Sequence, residues 1–195
     1  MLALQRMTTD YIAHEDRIRI TGACADGRVV VLWLTQRLLG RLVPPLCRWL
    51  EGAAHPGLPA SPAQRMGAAV AQQAAVQGFA QELARAQLVP QAPVPADRAA
   101  QQFVVDSVQL TSHAQAVRLV FKPALDAGAA LGGTAVEGTV TDEVTLTLSQ
   151  QQLRQWLDVL HAQCRLAAWP AGVWPAWLQH PPPATPAGSR GATLH

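Results

Sequence analysis

Two stretches of this chain carry the same order of apolar and polar positions. Residues 30–50 read VVLWLTQRLLGRLVPPLCRWL and residues 144–164 read VTLTLSQQQLRQWLDVLHAQC. Laid without gaps, Val30, Leu32, Leu34, Gln36, Leu39 and Leu46 fall on Val144, Leu146, Leu148, Gln150, Leu153 and Leu160, and Thr35 falls on Ser149. In both copies the spacing of apolar residues changes at the hydroxyl residue from two to three or four. A strand therefore runs straight into a helix twice, with Thr35 or Ser149 as the N-cap.

The rest of the pattern fills in around these joins. Residues 1–10 are expected to fray, and the folded domain to span 11–168. Residues 17–24 alternate around Ile18 and Ile20, Asp26-Gly27 is a hairpin turn, and 28–34 returns as an apolar central strand. Leu39, Leu42, Val43, Leu46 and Leu50 line one face of the first helix, which Pro44-Pro45 should kink or split in two. Ser61-Pro62 starts an Ala- and Gln-rich helix running to about Gln87, whose Met66, Val70, Val76, Phe79 and Leu83 spread over a broad arc. Residues 103–110 and 116–122 form a second hairpin around Ser112-His113, 139–148 is a fifth strand, and a last helix runs from Ser149 until Trp169-Pro170 stops it. Loops are expected at 52–60, 88–100 and 124–138. The expected fold is an α+β domain in the order ββααβββα: an antiparallel sheet of about five strands with the helices packed on one face. The Pro- and Trp-rich tail, 169–195, is expected to be disordered after about 178.

Composition narrows the class of protein. The chain has 195 residues, 49% of them apolar and only 14% charged, with a formal net charge of +2. A surface so poor in charge tends to associate, while +2 is too small to imply a polyanion partner. Lys122 is the only lysine, and the excess of Arg, Ala and Pro fits a GC-rich, bacterial-like genome. Cys24, Cys47 and Cys164 are odd in number and widely spaced, so free thiols in a reducing compartment are expected. No signal-peptide pattern opens the chain and no apolar run approaches the ~18 residues of a membrane span. A cytoplasmic protein with no membrane partner is the expectation.

Candidate chemistry is sparse. His161 and Cys164 stand three apart on the last helix without third or fourth ligands nearby, so no metal is expected. His14, Glu15 and Asp16 read as a solvated edge. Asp106, Asp142, Glu143 and Asp158 have no spacing that makes a paired-carboxylate site. Ser107, Ser112 and Ser149 lack a nucleophile motif, and Gly132-Gly133 is not followed by the residues of a phosphate loop. No catalytic residue and no cofactor is assigned. Arg37, Arg41 and Arg48 form a row on the first helix, extendable by Arg17, Arg19 and Arg28, that would touch phosphates in a nucleic-acid-binding accessory protein. Trp169, Trp174 and Trp177, interleaved with prolines, are the candidate anchors for a partner protein or a second copy, unless they pack on their own domain.

The order of elements resembles the head domain of the double-strand-break end-joining scaffold proteins. The residues that carry the resemblance are Asp26-Gly27 before a strand holding Trp33, the helix opened by Thr35, the hairpin at 103–122, the strand at 140–148 and the helix from Ser149, together covering roughly 17–165. In that family the closing helix continues into a dimerising coiled coil, whereas Trp169-Pro170 ends it here. The reading that follows is a non-enzymatic protein-interaction or scaffold module, a possible homodimer, that displays an apolar patch. The alternatives are a nucleic-acid accessory protein using the arginine row, and a small-molecule binder or enzyme with an unrecognised site.

Overall fold

The computed structural model describes residues 1–53, 66–89, 91–113, 115–124 and 143–179. Among these residues six strands run β1 (Leu2–Ile12), β2 (Arg17–Cys24), β3 (Val29–Leu34), β4 (Ala99–Ser112), β5 (Ala116–Pro123) and β6 (Val144–Ser149). The helices are α1 (Gln36–Ala53), α2 (Met66–Ala86), α3 (Gln150–Leu166) and α4 (Ala176–Gln179). The strands close into a barrel in chain order. Each half of the chain is a three-stranded antiparallel meander followed by a helix, and the halves join through two parallel seams, β3 with β4 and β1 with β6.

This overturns the open antiparallel sheet of about five strands with helices on one face. The missing strand is β1, in the stretch expected to fray. Its inward residues change phase. Leu2 and Leu4 are buried, then a bulge between Leu4 and Arg6 shifts the inward set to Met7, Thr9 and Tyr11. Alternation is broken in mid-strand, so the segment does not read as one strand. The same device appears in β4, where Phe103 and Val105 give way, across a bulge between Val105 and Ser107, to Val108 and Leu110. Each bulge is a corner at which a long strand leaves one sheet for the other. Thus β4 pairs with β3 up to Val104 and with β5 from Val105, and β1 pairs with β6 at Leu2 and Ala3 and with β2 from Leu4.

Both strand-to-helix joins are present. The Leu38 amide donates to Thr35 Oγ1 at 3.2 Å, and Ser149 makes a full capping box with Gln152. Caps of this kind contribute about 1 kcal/mol each. Pro44 and Pro45 lie inside one continuous α1 rather than dividing it. The inward faces of β2 and β3 supply the fully buried Ile18, Ile20, Leu32 and Leu34, and Leu46, Leu153 and Leu157 of α1 and α3 complete one core. Gly22 permits a close approach there, since a Cβ on it would stand 2.5 Å from a Leu4 methyl. α1 lies against β4, and α3 against β1, β5 and β6, whereas α2 rests on α3 and α4. Among the described residues no helix is long and apolar enough to cross a membrane. The expected loop at 124–138, the residues 54–65 before α2 and the tail beyond 179 lie outside the described residues, apart from Ala124.

α3 ends where the sequence stops it. Ala168 adopts φ +53°, and the Trp169 and Ala168 amides reach back to the carbonyls of Cys164 (3.1 Å) and Arg165 (3.0 Å). This left-handed position after a helix favours glycine. Ala168→Gly is expected to raise stability by about 1 kcal/mol, read as a higher urea midpoint at constant slope.

Candidate interaction surfaces

The tryptophan tail folds back on its own domain. Trp174 is buried against His161, with ring centroids 5.0 Å apart, and Leu178 is buried beside it. The Trp177 ring lies over the Arg154 guanidinium, 5.5 Å from carbon to centroid, and its Nε1 donates to Glu51 Oε1 at 3.0 Å. Trp169 meets Tyr11 edge to face at 5.9 Å, and both its Nε1 and the Tyr11 hydroxyl donate to Asp16 Oδ1 at 3.0 Å. The tail therefore ties α1, α3 and the β1–β2 hairpin together. The structure does not gather the three rings into one patch.

Arg37, Arg41 and Arg48 are exposed along α1, and among the described residues none of them lies within ion-pair distance of a carboxylate. The extension through the first hairpin is neutralised: Arg17 pairs with Glu15, Arg19 with Asp10, and Arg28 with Asp26. Arg28 holds the Asp26 carboxyl below its usual range through backbone and side-chain hydrogen bonds.

The other candidate residues stand apart. His161 and Cys164 are buried on α3, Glu143 pairs with Lys122, Asp158 with Arg85, and Asp106 is exposed. His14, Glu15 and Asp16 sit on the exposed β1–β2 turn, while Asp142 and Gly132-Gly133 fall outside the described residues. Among the described residues no three His, Cys, Asp or Glu side chains converge as for a metal ion. Burial pushes the Cys47 thiol up to about 12 and that of Cys164 up to about 11, leaving both as inert core groups.

Sequence reasoning missed a polar layer under α2. Gln77 and Gln81, four apart on its inward face, are both buried. Arg154 donates through Nη2 to Gln77 Oε1, Gln77 Nε2 donates to the Leu50 carbonyl at 3.4 Å, and Gln81 Nε2 donates to the Arg154 carbonyl at 2.9 Å. Arg85 and Asp158 add a two-pronged ion pair, and Gln155 Nε2 donates to the Ala84 carbonyl at 2.9 Å. Burial pulls the Arg154 guanidinium below its ordinary value, and its Nη1 has no partner. The legible signal was the pair of amides at helical spacing.

Over its described side chains α2 is consequently inverted, with Gln77 and Gln81 buried inward and its large apolar residues turned outward. Eight large apolar side chains are exposed among the described residues, and five of them (Val76, Phe79, Leu83, Leu88 and Val89) sit on α2 and its exit. Phe79 is 69% accessible. This concentration distinguishes α2 from the scattered exposed apolar residues of any surface.

Comparison with protein-family models, with curated protein sequences and with solved structures finds no match for this chain.

Arg154→Met strands Gln77 Oε1 without its donor and should cost about 1–3 kcal/mol in urea unfolding. Adding Gln77→Leu should restore most of that loss, and simple additivity of the two changes would show that they act independently. His161 supplies a pH dependence. Desolvation, then Arg165, lowers its pKa below the ordinary 6.5, with Arg85 acting in the same direction and Asp158 against it. The unfolded chain therefore takes up the proton first. The stability this neutral imidazole confers is present above pH 6.5 and is lost as pH falls below it. His161→Phe should flatten the fall in urea midpoint between about pH 7 and pH 5 relative to the parent.

Proposed function

We propose that the chain is a non-enzymatic interaction module that pairs with a second copy of itself through the outer face of α2. The single observation that carries this reading is the inversion of that helix. Val76, Phe79 and Leu83 point to solvent at a spacing of three and four, while the amides that would normally face water are buried beneath. Gln72 and Ala86, also exposed, extend the row at the same spacing, which is that of a coiled-coil seam. Covering each large apolar side chain is worth about 1.5–3 kcal/mol.

A second copy suits the seam because the row carries no charge, so like meets like without repulsion. A twofold interface also sets each residue of one helix against its counterpart's neighbours. Arg85, the nearest cation, is already held by Asp158. The tail adds indirectly: Trp174 and Leu178 pack α4 beside α2 and help to hold the platform.

Light scattering behind a sizing column tests this on the full chain. The parent is expected at twice its 20.8 kDa chain mass, and Phe79→Glu with Leu83→Glu at the monomer mass with the circular dichroism of the folded parent and a lower urea midpoint, since association adds to the stability of the folded chain. A monomeric parent, or a dimer that survives both charges, overturns the proposal.

A further inference from the structure

The two parallel seams of the barrel are unequal. β3 and β4 pair along five residues, from Val29↔Ala99 across a one-residue shift to Val30↔Gln101 and on to Trp33↔Val104, whereas β1 and β6 pair only at Leu2↔Val144 and Ala3↔Thr145, where Thr145 Oγ1 adds a bond to the Leu2 carbonyl at 3.3 Å. Beyond Ala3 the strands part at the β1 bulge. A cleft of about 230 Å³ opens between Leu4–Thr9, the end of β6 and the first turns of α3.

The backbone facing this cleft can be placed from hydrogen bonds on either side of it. The Tyr11 amide donates to Gln163 Oε1 of α3 at 2.8 Å, so it points away from β2. Main-chain groups alternate in direction along an antiparallel ladder, so those of Thr9 and Met7 point the same way, into the cleft. On β6 the Glu143 carbonyl accepts from the Leu2 amide at 2.8 Å, so the alternate residues Thr145 and Thr147 turn toward β1. The ladder stops at Thr145. Met7 and Thr9 on one wall, and Thr147 on the other, thus face the cleft as strand edges without a strand partner among the described residues. Backbone donors and acceptors of this kind take a partner or water.

The side chains add two further requirements. Met7, Leu88, Trp156 and Val159 make an apolar floor, with Trp156 fixed by its Nε1 donating to Thr9 Oγ1 at 3.3 Å. Arg6, exposed at the rim, is the one charged residue among the described residues that line the cleft. The volume lies below the ~300–1,000 Å³ of pockets that enclose a drug-sized ligand. An open strand edge, a shallow apolar floor and a lone cation together suit a segment laid along the cleft.

We infer that the open β1–β6 seam binds an extended peptide of a partner protein, which adds as a strand to the Met7–Thr9 edge, sets an apolar side chain on Trp156 and Val159, and places a carboxylate near Arg6. In such strand addition the main chain supplies affinity, and the pockets for alternate side chains supply specificity. The site is separate from the outer face of α2, and either reading stands without the other.

A displayed library of random nine-residue peptides, panned on the immobilised full chain, is the first step. The expected enrichment is for alternating apolar residues flanked by Asp or Glu. The best sequence is then synthesised in two forms, native and N-methylated at alternate backbone amides, and titrated by calorimetry. N-methylation at the paired amides, Val159→Arg and Arg6→Glu should each weaken binding about tenfold or more, while Phe79→Glu with Leu83→Glu leaves it unchanged. No enrichment over an unrelated bait, equal binding of the N-methylated peptide, or equal binding by Val159→Arg overturns the inference. Loss of binding in the α2 variant alone assigns the peptide to the α2 surface and overturns it as well.

Discussion

Closing six strands through two parallel seams is the constraint from which the rest of this structure follows. A parallel neighbour cannot be reached by a hairpin, so the chain must leave the barrel and return. Between β3 and β4 it does so through α1 and α2, which places two helices beside the barrel. The long strands β1 and β4 then turn from one sheet to the other, and each needs a bulge to do it. Gly22 belongs to the same economy of space, because the Leu4 side chain at the β1 corner occupies the volume a larger residue would fill.

The helical layer is built on different chemistry from the barrel. α1 and α3 enter the core with Leu39, Leu46, Leu153 and Leu157, and their attachment is hydrophobic. α2 stands one layer further out and meets α3 where Arg154 and main-chain carbonyls face it, so its inner side must offer amides. Its apolar residues are turned outward as a result. The tail closes the layer from another side, with Trp177 on Arg154 and Trp174 on His161.

The legible and illegible parts of the sequence divide along this line. Thr35 and Ser149 are legible because a cap and a change of period coincide at one residue. The β4–β5 hairpin was legible from its alternation, and the His113 amide closes it on the Ala116 carbonyl at 2.8 Å. β1 was hidden because its bulge flips the inward set from even to odd positions, so neither half is long enough to announce a strand. Parallel pairing left no local trace, since it depends on where α1 and α2 return the chain. The candidate surfaces followed suit. Val76, Phe79 and Leu83 belong to apolar positions spread over a broad arc of α2, which defines no packing face by itself, and only the polar groups that α3 offers beneath the helix decide which side turns inward. The cleft beside Met7 and Thr9 arises from the direction of main-chain groups, which side-chain patterns do not record.

The short seam also orders the birth of the molecule. Its pairs, Leu2 with Val144 and Ala3 with Thr145, join the first strand to the sixth, while every antiparallel pair joins neighbours in the chain. Contacts so far apart in sequence carry the largest loop-closure cost and form late. As the chain leaves the ribosome, β1, β2 and β3 can assemble with α1 at once, but the barrel stays open until β6 has been synthesised. Through that interval β1 presents a bare edge to whatever surrounds it, and the last strand made is the one that shuts the barrel.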